Sequence, residues 1–161
     1  SRGCVMSRRR SCASAPRPGQ DGTWLIPDMV DAYCKLHELG FAHSIEAWEG
    51  DTLVGGLYGI SLGAAFFGES MFSRASDASK VASVHLVASL RLGGFQLLGT
   101  QFLTTHQPRF GAREIPRDEY KARLAIAIEA PAAWLPSPAP AALAQEFMAI
   151  AGKQPFGEDP L

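Results

Sequence analysis

Glu69 is the first residue of chemical interest. It stands in Phe66-Phe67-Gly68-Glu69-Ser70-Met71-Phe72-Ser73, an otherwise apolar and aromatic run of strand character. A carboxylate buried in such a run is costly unless a cation or a hydrogen-bond donor meets it. Spacing leaves two readings: Glu69 receives the ammonium or hydroxyl of a ligand, or it is an edge-strand glutamate in solvent or tied to Arg74 or Lys80. Gln101, in Leu97-Leu98-Gly99-Thr100-Gln101-Phe102, is an amide inside a second strand-like run and needs a hydrogen-bond partner. Its plain reading is a structural amide. Period two puts residue 99 on the same strand face as 101, and a glycine there orients nothing.

The remaining reactive side chains form no recognisable constellation. His37, His43, His85 and His106 include no pair at the i,i+4 zinc spacing and none flanked by an evident nucleophile and acid. Ser70 and Ser73 lie in no Gly-x-Ser-x-Gly elbow. Cys4, Cys12 and Cys34 are an odd set without two-residue spacing, which fits neither a disulfide framework nor a zinc site. Trp24 and Tyr33, nine residues apart, suit core anchors or a stacking platform for a base. No metal and no cofactor is expected, and the cysteine usage suits a reducing compartment.

With 161 residues and 47% apolar side chains, the chain can close one core, and 19% charged residues is not a disordered composition. A formal charge of −1 argues against affinity built chiefly on phosphate neutralisation. The charge is unevenly spread, because Arg2, Arg8, Arg9, Arg10 and Arg17 face only Asp21 within residues 1–22. No apolar run approaches the roughly 18–20 residues that cross a bilayer. The expectation is a soluble, cytoplasmic protein without a membrane partner.

Periodicity supplies the elements that must hold these residues. Residues 1–22 show no period and read as an extended segment. Pro27 opens a helix that Gly40 stops. His43, Ile45 and Ala47 alternate with Ser44, Glu46 and Trp48 as in a half-buried strand. Leu53 to Leu62 is a second strand, where Gly55, Gly56 and Gly59 point to close backbone approach or a bulge. Ala64 to Met71 is a third. A helix over about 79–91 closes at Gly93-Gly94, Gln96 to Leu103 is a strand, and Pro116 opens a helix through about Ile128. From Pro131 to Pro140 the chain is a linker or covering segment. This order predicts a mixed α/β (α+β) sheet flanked by helices, in one body over 23–130, followed by a Pro- and Ala-rich tail over 131–161.

Several segments taken together resemble one family. They are Gly22-Thr23-Trp24, Ala32-Tyr33 with Leu36 to Gly40, Ala42-His43-Ser44-Ile45-Glu46, Gly55 to Gly59, Phe67 to Arg74, Ala78-Ser79-Lys80 and Glu114 to Arg117. The resemblance is to the bacterial leucyl/phenylalanyl-tRNA–protein transferases, in register from about Cys12 to Leu124. The Gly-Glu-Ser-Met-Phe-Ser-Arg string is its most specific part.

The resemblance implies an N-acetyltransferase-superfamily fold and an aminoacyltransferase. Such an enzyme moves Leu, Phe or Met from aminoacyl-tRNA to a protein with N-terminal Lys or Arg, marking it for degradation. It implies a monomer whose catalytic centre is lined by Glu69 and Gln101. Trp24 and Tyr33 would hold the terminal adenosine, and Leu57, Phe66, Met71, Leu86 and Leu90 the transferred side chain. Two departures stand out. Gly99 replaces an aspartate that in the family supports the glutamine, and the family's N-terminal Trp-Trp-Ser-Pro domain has no counterpart in these residues. A truncated or degenerate relative that only binds is therefore the alternative. An acetyl-CoA-dependent N-acetyltransferase is a third reading, weakened because Arg74 to Ser79 offers no glycine to a pyrophosphate and carries an acid.

Overall fold

The computed structural model describes residues 27–100 and 113–152. Their order is α1 (Pro27–Glu38), β1 (Ala42–Glu49), β2 (Thr52–Leu62), β3 (Ala65–Ser73), α2 (Ala78–Leu92), β4 (Leu97–Thr100), α3 (Arg117–Glu129) and α4 (Pro140–Gly152). The strands form one sheet in the order β1-β2-β3-β4. Its β1/β2 pair is antiparallel and its β3/β4 pair parallel, so the sheet is mixed, as the pattern predicts. The chain clusters into two compact units, residues 1–60 with 69–83 and residues 61–68 with 84–161.

In the first unit, α1 places Asp28 in its first turn and Lys35 and His37 in its last, in line with the helix dipole. It ends in a Schellman motif: Gly40 at φ +83° donates to the His37 carbonyl and Phe41 to the Leu36 carbonyl. The β1/β2 register shifts between Ala47 and Trp48, so that Ala47 faces Gly55 and Trp48 faces Leu53. Val54 is the extra residue of this bulge, and its carbonyl accepts the amides of Arg74 (2.7 Å) and Ala75 (3.3 Å) beyond β3. Close approach accounts for Gly55, since a Cβ there would lie 2.7 Å from the Cβ of Ala78.

In the second unit, α2 ends in the same motif as α1. Gly94 at φ +78° donates to Arg91, and Phe95 donates to Leu90. Phe66 is fully buried, stacked on Trp134 at 5.7 Å and met edge-on by Phe95 at 6.3 Å. Residues 131–139 therefore cover the core, and Ala133 donates to the Gly93 carbonyl at 3.0 Å. α3 lays Tyr120, Leu124 and Ala127 over Ala65, Phe67 and Leu97.

One difference from the sequence reading is substantial. Residues 140–152, assigned there to a tail, form α4. Leu143, Phe147 and Ile150 recur at helical spacing in an alanine-rich segment that Pro140 opens, and they pack on Val84, Val87 and Ala88. Arg91 Nε lies 3.3 Å from the Glu146 carboxylate across the same contact. The expected strand over 96–103 is seen as Leu97–Thr100, and its remainder falls outside the described residues. The domain limits at 22 and the segment before it also lie there.

Two substitutions test this packing. Ile150→Ala removes a side chain only 7% exposed and should lower the unfolding free energy by about 2–4 kcal/mol in urea titration. A loss below about 0.5 kcal/mol would detach α4 from the core. Gly55→Ala should cost about 1–3 kcal/mol through overpacking against Ala78.

Candidate functional site

The first unit holds Tyr33, Leu57, Glu69 and Met71. Tyr33 reaches inward from α1 and meets Tyr58 of β2 edge-on, ring centroids 5.0 Å apart. Leu57 is the neighbour of Tyr58 on β2 and is buried. Glu69 is half-buried, two residues from Met71 on the same face of β3. The Met71 side chain is 39% exposed, and its Sδ lies 3.6 Å from the Ser83 hydroxyl of α2, which donates to the Ser79 carbonyl at 2.9 Å.

The Ser73 side chain ties the end of β3 to the start of α2. The Ser73 hydroxyl donates to the Ala75 carbonyl at 2.8 Å and accepts the Ser79 amide at 3.3 Å, so it caps the start of α2. Arg74 lies over the Phe72 ring at 5.7 Å. Asp77, at φ +63°, pairs with Lys80. The approach to α2 thus carries an acid held by its own lysine, which does not suit a pyrophosphate.

In the second unit Phe66, Leu86 and Leu90 are all buried, Phe66 and Leu90 fully. On β4, Gly99 pairs with Phe67 of β3. A Cβ at 99 would lie 3.3 Å from the Phe67 ring and 3.4 Å from the Tyr120 hydroxyl. Trp24 and Gln101 lie outside the described residues, as do His106 and the cysteines other than Cys34. Among the described residues no group of three or more His, Cys, Asp or Glu side chains could hold a metal ion.

Three polar residues escaped the sequence reading. Glu46 is 4% exposed and accepts the Trp48 indole N–H at 3.0 Å, a pairing foreshadowed by their i,i+2 spacing on one strand face. Tyr58 is buried beneath Tyr33. Tyr120 reaches Gly99 from α3, and no local pattern links the two.

A family model described as leucyl/phenylalanyl-tRNA protein transferase matches residues 5–125. The chain belongs to this family. A relative named leucyl/phenylalanyl-tRNA–protein transferase from Anaeromyxobacter sp. (strain K) is 65% identical over 122 residues, covering 76% of this chain and 52% of its own length. One of the same name from Phenylobacterium zucineum (strain HLK1) is 62% identical over 122 residues, covering 76% and 55%. A third, from Rhodopseudomonas palustris (strain BisB18), is 53% identical over 148 residues, covering 91% and 64%. The chain spans about half the length of the first two relatives. Among solved structures, a ribosomal-protein-alanine N-acetyltransferase from Brucella melitensis biovar Abortus 2308 aligns with a TM-score of 0.39 at 20% identity, over 66% of this chain and 76% of that one. The family match takes in all four strands and ends inside α3, so α4 lies beyond it. No helix among the described residues is long and apolar enough to cross a membrane.

Histidine burial gives the first unit a pH dependence. His43 is 7% exposed and its pKa falls to about 4, chiefly through desolvation and then through the charge of His37, against a backbone hydrogen bond at Gly40. His37 Nδ1 lies 2.7 Å from the Ala42 carbonyl. The unfolded chain takes up a proton at His43 near pH 6.5, while the folded chain resists until about 4. Stability is therefore full above about pH 6.5 and lost as pH falls from there toward 4, by about 1–3 kcal/mol. In the second unit burial lowers the pKa of His85, which makes a contribution of the same sign there. Unfolding curves across this range should slope less in His43→Gln, and an unchanged slope would reject the assignment.

Proposed function

We propose that the chain is an aminoacyltransferase that moves Leu, Phe or Met from the 3′ end of aminoacyl-tRNA to an acceptor with N-terminal Lys or Arg. The acceptor is thereby marked for degradation, and the enzyme works as a cytoplasmic monomer. The observation that carries this reading is the family match over residues 5–125, which includes Glu69, its apolar strand and the Gly99-Thr100-Gln101 segment.

The chemistry suits the residues. The acceptor amine, with a pKa of about 7.7–8.0, must be neutral to attack the ester carbonyl. A C–N bond then forms, the C–O bond to the ribose 3′ oxygen breaks, and the amine proton passes to the leaving hydroxyl. In this reading Glu69 receives the amino or ribose group of the donor. Gln101 positions the attacking amine, because an amide is too weak a base to deprotonate it alone. Trp24 and Tyr33 hold the adenosine, and Leu57, Phe66, Met71, Leu86 and Leu90 surround the transferred side chain. Gly99 favours a second reading, in which the chain binds charged tRNA without turning it over.

Labelled Leu or Phe on charged tRNA, offered to a peptide with N-terminal Arg, separates the two. Transfer by the parent chain and a loss of about 10²–10³-fold in Glu69→Gln are expected. Binding of charged tRNA without any transfer would establish the second reading, and neither binding nor transfer would reject both.

A further inference from the structure

Tyr33 is half-buried on α1, and a tyrosine so placed turns about two side-chain bonds unless something holds its ring. Tyr58 of β2 is the holder. It is 5% exposed, and its ring meets that of Tyr33 with centroids 5.0 Å apart and planes at 74°, the edge-to-face geometry that aromatic quadrupoles favour. The backbone fixes where the two rings meet. α1 ends on β1: Phe41 donates to the Leu36 carbonyl, and His37 Nδ1 lies 2.7 Å from the carbonyl of Ala42, the first residue of the strand. Tyr33 stands one helical turn before His37 and so on the same side of α1. Ala42 and Ser44 share one face of β1, and Tyr58 is paired with Ser44 across the β1/β2 ladder, which puts its side chain on that face too. Tyr33 therefore reaches over β1 to β2, where a buried aromatic ring receives it.

We propose that Tyr58 is a positioning residue for the donor, its buried ring holding the Tyr33 ring in the orientation that the terminal adenosine of charged tRNA meets. The proposal rests on the transferase reading, in which Tyr33 touches the adenosine and Tyr58 acts through it. A ring held in place before the ligand arrives removes an ordering cost that binding would otherwise carry. The effect therefore falls on affinity for the donor rather than on bond making. An aliphatic side chain at 58 fills apolar volume but offers Tyr33 neither the edge nor the face of a ring, and it leaves Tyr33 free to turn.

The test follows transfer of labelled Leu from charged tRNA to a peptide with N-terminal Arg by the parent chain, Tyr58→Leu, Tyr58→Phe, Tyr33→Leu and the Tyr33→Leu/Tyr58→Leu double variant. In Tyr58→Leu, KM for charged tRNA should rise about five- to tenfold while KM for the peptide holds, a split that general loosening of the fold would not produce. Tyr58→Phe restores the ring and should bring KM for charged tRNA back to within about twofold of the parent. Because Tyr58 acts through Tyr33, the double variant should be no weaker than Tyr33→Leu. Where Tyr58→Leu does not fold, Tyr58→Met, with its longer unbranched side chain, reads the same split. Parental KM for charged tRNA in the folded variant, an equal rise for the peptide, or a double variant weaker than Tyr33→Leu by the whole Tyr58→Leu factor would overturn the proposal while leaving the transferase reading intact. Parental KM in Tyr33→Leu, or absence of transfer by the parent chain, would overturn the reading on which it rests and the proposal with it.

Discussion

The first unit depends on how closely β2 and the start of α2 approach. At Gly55 a side chain would meet the Ala78 Cβ at 2.7 Å and its carbonyl carbon at 3.0 Å, so the two backbones are in contact. That contact works together with the bulge. The extra residue Val54 turns its carbonyl toward the amides of Arg74 and Ala75, and the Ser73 hydroxyl ties the same segment to Ser79. The end of β3, with Glu69 and Met71, is therefore anchored by backbone hydrogen bonds on rigid elements. Anchoring of this kind limits drift in a side chain expected to meet a ligand.

Much of this was legible because it is local. Gly40 and Gly94 follow helical stripes and sit at positive φ, as the C-terminal signal requires. Gly55 and Gly56 interrupt a strand pattern, and both meet backbone that would collide with a side chain. The illegible parts are long-range. Burial of Glu46 depends on its place in β1 and on a strand partner, Gly56, that is itself a glycine. Tyr120 meets Gly99 only because α3 packs on β4, twenty-one residues later in the chain. The α4 stripe of Leu143, Phe147 and Ile150 was readable in principle, but the proline and alanine content before it masked the period.

Several polar groups have a partner within their own unit. Glu46 takes the Trp48 indole, Arg91 takes Glu146, and His37 contacts the Ala42 carbonyl. Such pairs add little net stability, yet losing one partner leaves a buried group exposed to the full desolvation cost. His43 follows another route: burial lowers its pKa and keeps it neutral at neutral pH. Two solutions to one problem lie within a few residues of each other on β1.

The five apolar residues assigned to the transferred side chain are not equivalent. Leu57, Phe66, Leu86 and Leu90 are each at most 9% exposed, while Met71 is 39% exposed. The Phe66 ring is already committed, stacked on Trp134 with the edge of Phe95 against it. In the transferase reading, new apolar contact with an incoming Leu, Phe or Met then falls first to Met71, since a buried side chain has little area left to offer. A thioether suits that task. It is unbranched and polarisable, and it adapts to aliphatic and aromatic partners alike.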